Sequence, residues 1–266
     1  MYAFEYKRPA SLADAKVSGD ARFLAGGQSL IQAMKLRLSA SETLVDLGAV
    51  ADLKSIKVDG TTLVIGAMVT HAAVAASADV QRLNPALAEL AGGIGDPMVR
   101  NMGTIGGSVA NADPAACYPA GLVGLGATVH TVMGTTARTI PADSFFTGLY
   151  ETALQPGELI TAVSFPAVQK AAYVKFKQPA SRFALVGVVV SQGASGVRVA
   201  VTGAKGSVFR ATQIEQALSA SFTPEAAKAV RMPTDGINAD MHGTAEYRAA
   251  MISVMASRAV AAALAR

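Results

Sequence analysis

The chain has 266 residues, 51% of them hydrophobic and 16% charged, which excludes a disordered chain and allows one large domain or two modest ones. Its net charge of +4 comes from scattered Lys and Arg with no basic run, so no nucleic-acid-binding patch is expected. A single cysteine, Cys117, excludes an internal disulfide or cysteine cluster, and His71, His130 and His242 stand in no metal-ligand spacing.

In chain order, Arg22–Ala25 reads as a strand broken by Gly26-Gly27, and Ser29–Leu38 carries the apolar spacing of a short helix. Thr43–Asp46 returns as a strand, completing a β-loop-α-β unit with glycines at its first turn. Thr62–Ala67 is a further strand, Thr70 is placed to cap a helix over Ala72–Ala78, and Asn84-Pro85 opens a helix over Ala86–Ala91. A glycine-punctuated stretch runs from Gly92 to Asp113, followed by a helix over Tyr118–Leu125 and a strand over Thr128–Met133. Pro156-Gly157 marks a turn before strand Leu159–Phe165, which Pro166 ends.

The texture then changes. Ala172–Lys177, Ala184–Ser191 and Val197–Thr202 read as three successive strands, and Thr212–Ser219, Pro224–Val230 and Thr244–Ala265 as helices. Strands followed by helices predict an antiparallel sheet with helices on one face, and a domain boundary falls near Pro166–Ala171. Mean hydropathy is high at +0.36. Even so, runs such as Ala184–Ser191 and Val254–Leu264 are too short or interrupted to span a bilayer, and the opening MYAFEYKRPA lacks a leader pattern, so a cytoplasmic protein is expected. The excess Ala and Val suits a surface covered by a partner subunit.

Two stretches carry candidate chemistry. In LAGGQSL (Leu24–Leu30) a strand ends, two glycines turn the chain and a helix starts, an arrangement suited either to phosphate or to a plain turn. It is neither a Rossmann fingerprint nor a P-loop, because G-x-G-x-x-G and G-K-[ST] are both absent. GGIGDPMVRNMGTIGGSVANADP (Gly92–Pro114) is too apolar for a linker, and its Thr104–Ser108 run is placed to offer successive backbone N–H groups to an anion or to pack as a buried irregular segment. Together the two glycine pairs suggest a two-walled cradle for the pyrophosphate of a dinucleotide.

The segments AGGQSL, MKLR, TLVDL, GAMVTHAAV, IGDPMVRNMGTIGGSVANADPAA, GELITAVSFP and YVKFKQPASRFALVGVVV follow one another in the order seen in a known family. The chain resembles, over nearly its whole length, the FAD-binding medium subunits of the molybdenum hydroxylases, the xanthine dehydrogenase and carbon monoxide dehydrogenase family. The resemblance implies an α+β fold. An FAD-binding domain of the vanillyl-alcohol-oxidase (PCMH) type would span residues 1–168, with subdomains of about 1–56 and 57–168, and a C-terminal domain with a three-stranded antiparallel sheet and helices would span 169–266.

It also implies residue roles. Phe23, Leu24, Ala25, Gly26, Gly27, Gln28, Ser29 and Leu30 would wrap the FAD pyrophosphate, mainly through backbone N–H groups. Thr104, Ile105, Gly106, Gly107 and Ser108 would form the second wall, with Thr104 and Ser108 as hydroxyl donors, Ile94 and Ile160 would contact the cofactor, and Lys177 either falls where the family has a cofactor-contacting lysine or is an exposed strand lysine. Lys175 reads as an exposed strand lysine, and His71 either lines the site or is structural. Cys117 occupies a position where the family commonly has an aspartate on the nucleotide, and a thiol is a poor partner for ribose hydroxyls.

The implied function is electron transfer. Electrons would come from a molybdenum-cofactor large subunit through a small subunit's 2Fe-2S clusters to FAD on this chain, within a dimer of heterotrimers, and pass to an external acceptor. The runner-up is a self-contained FAD-dependent oxidoreductase with its own substrate.

Overall fold

The computed structural model describes residues 1–266. Three strands open the chain: β1 (Glu5–Lys7), β2 (Ala21–Leu24) and β3 (Thr43–Asp46), all parallel in the order β1-β3-β2. Helix α1 (Leu30–Lys35) connects β2 to β3, which is the crossover that a parallel pair requires. Leu44, Val45 and Met34 are buried, so this small layer packs through a few large side chains.

The second layer is an antiparallel five-stranded sheet in the order β4-β5-β10-β6-β7. Its strands are β4 (Ile56–Asp59), β5 (Thr62–Gly66), β6 (Thr128–Met133), β7 (Thr136–Pro141) and β10 (Leu159–Phe165). Gly60 (φ +58) and Gly134 (φ +61) open the two-residue turns of the β4-β5 and β6-β7 hairpins, where a positive φ matches the strand twist. A minor hairpin, β8 (Phe146–Gly148) with β9 (Glu151–Thr152), precedes β10.

Between β5 and β6 the chain makes six short helices. They are α2 (His71–Ala76), α3 (Ala78–Leu83), α4 (Pro85–Gly92), α5 (Pro97–Met102), α6 (Ile105–Asn111) and α7 (Cys117–Gly124). The expected helix over Ala72–Ala78 stops at Ala76, because Ser77 caps α3 by accepting from Val80 N. The stretch read as one irregular loop is corrected to contain α5 and α6. Asp96 caps α5 through Val99 N at 2.9 Å and Thr104 caps α6 through Gly107 N at 3.1 Å. The glycines hid these caps because they weaken any helical pattern.

The last part forms an antiparallel sheet of β11 (Lys170–Lys177), β12 (Ala184–Gly193), β13 (Gly196–Thr202) and β14 (Phe209–Arg210), in that order. This corrects the expected three strands to four. The fourth has only two residues, too few for a periodic signal, and the Arg210–Glu215 ion pair at 2.8 Å anchors it. Helices α8 (Thr212–Ala220), α9 (Pro224–Ala229) and α10 (Ala245–Leu264) follow. Val186, Val188 and Val190 of β12 join the core with α10, while Val189 points into the core shared with α7. Both faces of β12 are therefore covered, which explains its unbroken apolar run. No helix is long and apolar enough to cross a membrane.

Helix α7 lies close on the last sheet because Gly124 has no side chain: a Cβ there would stand 2.6 Å from Val189 Cγ1. Gly124→Ala should lower stability by about 1–3 kcal/mol through overpacking, whereas Gly206→Ala, with nothing within 4 Å of its Cβ, should be nearly neutral. Urea unfolding of the two variants checks this contrast.

Candidate functional site

A cavity of about 690 Å3 opens where the β2–α1 loop, α6, the start of α7, the start of β10 and the β11–β12 connection meet. Its size is ordinary for a site that encloses a small ligand. Phe23 through Leu30, Ile94, Thr104, Gly106, Gly107, Ser108, Cys117 and Ile160 all line it. Ile105 and Lys177 do not: Ile105, the first residue of α6, is fully buried in the core, and Lys177 is exposed to solvent.

The β2–α1 loop supplies donors. No backbone or side-chain acceptor of the protein takes the N–H groups of Gly26, Gly27, Gln28 and Ser29. Gly27 has φ +71, and the Ser29 side chain makes no capping bond to α1, so its hydroxyl is unused by the helix. Successive unpaired N–H groups at a turn leading into a helix form a concave anion-binding nest.

In the second wall the backbone N–H groups that the sequence offered to an anion are already paired. The N–H groups of Ile105, Gly106 and Ser108 bond to Val69 O, Ala67 O and Thr104 O at 2.9–3.0 Å, and that of Gly107 bonds to Thr104 Oγ1. These four donors are already used in capping α6 and tying it to the end of β5. What this wall offers the cavity is the Thr104 and Ser108 hydroxyls, the two named for it above, since Thr104 Oγ1 accepts from Gly107 yet keeps its own proton. The glycines serve close approach. A Cβ at Gly106 would stand 2.5 Å from Ala67 Cβ, and one at Gly107 would stand 3.2 Å from Ala25 Cβ of the first loop. A Cβ at Gly26 would meet the Met102 carbonyl oxygen at 2.0 Å.

Lys175 turns to the cavity, and Lys177 is exposed to solvent. The β11–β12 register shifts between Phe176 and Lys177, and this irregularity accompanies the outward position of Lys177. Lys175 lines the cavity and donates to Gly93 O at 2.8 Å, Arg182 O at 2.8 Å and Cys117 Sγ at 3.4 Å. Its three donors are thereby engaged, and none of the acceptors is a carboxylate. Arg182, also on the lining, has φ +62 and donates to Gly95 O at 3.3 Å across the cavity mouth. No single-strand periodicity foretells these contacts, because they join Gly93, Cys117 and Arg182 from three separate segments.

Two titratable groups of the lining have settled charge states. Burial, with the nearby Arg100 guanidinium second, lowers the His71 imidazole to about 4, so it is neutral at pH 7. Glu158 is held at about 2, first by Arg138, whose Nε and Nη2 both bond it at 2.6 Å, and also by Thr131 Oγ1 and Gln155 N. That carboxylate is fully engaged in joining β6, β7 and β10, and it is no proton donor near neutrality.

Residues 2–168 match the sequence family described as "FAD binding domain in molybdopterin dehydrogenase". The chain belongs to this family. It is 39% identical over 282 aligned positions to the carbon monoxide dehydrogenase medium chain of Afipia carboxidovorans, covering 99% of this chain and 98% of that one. It is 34% identical to the nicotine 6-hydroxylase medium subunit of Paenarthrobacter nicotinovorans, with the same coverage of 99% and 98%. Among solved structures, a chain of the carbon monoxide dehydrogenase from Hydrogenophaga pseudoflava superposes with a TM-score of 0.88 at 35% identity, over 98% of this chain and 97% of that one. The α+β architecture is thus a family trait, and the cavity sits within the part that defines the family and along its border with the last sheet.

The Glu158 cluster gives a test by pH. Its folded-state value of about 2 lies below the ordinary 4.5, so its contribution is present above about pH 4.5 and fades as the pH falls to about 2. Arg138→Met should lower the urea midpoint at pH 7, and its difference from the parent should shrink steadily between pH 5 and pH 2.

Proposed function

We propose that this chain binds FAD in the 690 Å3 cavity and serves as the electron-transferring flavin subunit of a molybdenum hydroxylase. The observation that carries the reading is the set of four unpaired N–H groups, Gly26 to Ser29, at the wall of a cavity in a chain of this family. The pyrophosphate suits this nest, with the Thr104 and Ser108 hydroxyls opposite. Ile94 and Ile160 offer apolar contact, and Lys175, rather than Lys177, supplies fixed positive charge. Cys117 lies on the lining with its sulfur turned to Lys175, so the missing aspartate is answered by a cation already tied to carbonyl oxygens.

Bound FAD supplies the redox chemistry, accepting electrons and passing them on. The chain's own residues bind, orient and enclose it; with Glu158 locked to Arg138 and His71 neutral, neither is set up as a general acid. A molybdenum-cofactor large subunit and a 2Fe-2S small subunit complete the assembly, as a dimer of heterotrimers in the cytoplasm. Residues 1–168 would form the FAD-binding domain and 169–266 the C-terminal domain.

The test is reconstitution. The purified chain mixed with FAD should retain flavin in about equal amount and turn yellow; a colourless chain overturns the reading. Turnover of a small donor by the chain alone would favour a self-contained oxidoreductase instead. Gly26→Ala should raise the Kd for FAD at least about tenfold, because the added methyl strikes the Met102 backbone and shifts the loop. Circular dichroism of that variant separates lost binding from lost folding.

A further inference from the structure

His71 is a buried polar side chain with no partner. Its residue is 4% exposed, it lines the cavity, and neither ring nitrogen is hydrogen-bonded within the protein. Nδ1 is enclosed. Nε2 abuts Gly103, where a Cβ would stand 2.6 Å from it, and the other loop abuts Gly103 as well, since a Cβ at Gly26 would stand 2.8 Å from Gly103 Cα. The imidazole tip therefore sits beneath the junction of the loops that form the cradle. The backbone N–H of His71, bonded to Gly103 O at 3.0 Å, and the Tyr118 ring, 5.3 Å from the imidazole, hold it in place.

The tautomer follows from burial. In the neutral ring one nitrogen donates and the other accepts. A proton on Nδ1 would leave an enclosed donor unpaired, and orphaned buried donors are rarer than under-used acceptors. The proton therefore belongs on Nε2, on the cavity side.

We propose that His71 is a cofactor-contacting residue whose Nε2–H donates to a phosphate oxygen of the ligand held by the Gly26–Ser29 loop. The proposal rests on the FAD reading and names one further contact of the same site.

Flavin-fluorescence titration of the full-length chain with FAD, and calorimetric titration with ADP, test it. ADP carries the pyrophosphate without the flavin. His71→Phe keeps an aromatic ring against Tyr118 and removes the donor; its Kd should rise about tenfold or more for both ligands. His71→Gln, which restores an N–H donor, should recover part of the loss. Unchanged affinity in His71→Phe overturns the proposal, and so does a loss confined to FAD, which would place the contact on the flavin. If a variant fails to fold, nitrogen NMR of the parent decides. The His71 Nε2 resonance should shift on adding ADP, and its constancy overturns the contact. Failure of the parent to bind FAD would instead reject the functional reading.

Discussion

Gly26 rests against the backbone of Met102 and Gly103, and the whole site depends on that contact. No side chain fits there, since even a methyl would overlap the Met102 carbonyl oxygen. The first loop lies against the α5–α6 junction and lines the cavity with N–H groups that no protein acceptor takes. The junction is itself rigid. Asp96 and Thr104 cap the two helices, Arg100 Nη1 holds Ile94 O and Gly95 O at 3.0 and 3.2 Å, and Gly106 is bonded to Ala67 O at 2.9 Å. An anion nest made from a loop alone would flex; one backed by two capped helices is preorganised.

Helix α7 transmits this order to the last sheet. All eight of its residues are buried. Ser191 Oγ donates to Gly124 O at 2.6 Å, Arg198 Nε donates to Val123 O at 2.9 Å, and Thr202 Oγ1 donates to Ala116 O at 2.7 Å, just before the helix begins. The last carbonyls of α7, Val123 O and Gly124 O, are thus satisfied by the sheet that buries the helix. One consequence is functional: the same docking sets Cys117 beside Lys175, so the far wall of the cavity exists only when both parts of the chain are packed together.

The strands were legible where apolar and β-branched residues mark a half-buried or buried run. Thr43–Asp46, Thr128–Met133 and Leu159–Phe165 have the bounds that their composition predicts. Others were not: β1, β8, β9 and β14 have only two or three residues, and β4 and β7 are largely exposed edge strands of mixed composition. The site divides in the same way. The first loop announced itself through glycines that turn the chain, and its donors are unpaired as expected. In the second stretch the glycines signal packing against Ala67 and Ala25, a requirement that looks identical in sequence to phosphate binding. The inward position of Lys175 was illegible because the register shift next to Lys177 is a property of the paired strands.

The charges around the cavity follow from these constraints. Glu158, a buried carboxylate on the lining, is neutralised by Arg138 and turned into a brace among β6, β7 and β10. Lys175 is the reverse case, an ammonium whose acceptors are two carbonyls and a sulfur, none of them a carboxylate. Its positive charge is spread over the wall instead of being cancelled. Asp96 and Asp113 also line the cavity, so its charges are of both signs, and the unpaired N–H groups of the first loop are what favour an anionic ligand. Aspartate at position 117 would have paired with that ammonium directly. With Cys117 in its place, the same lysine holds its position through backbone oxygens and leaves its field to the cavity.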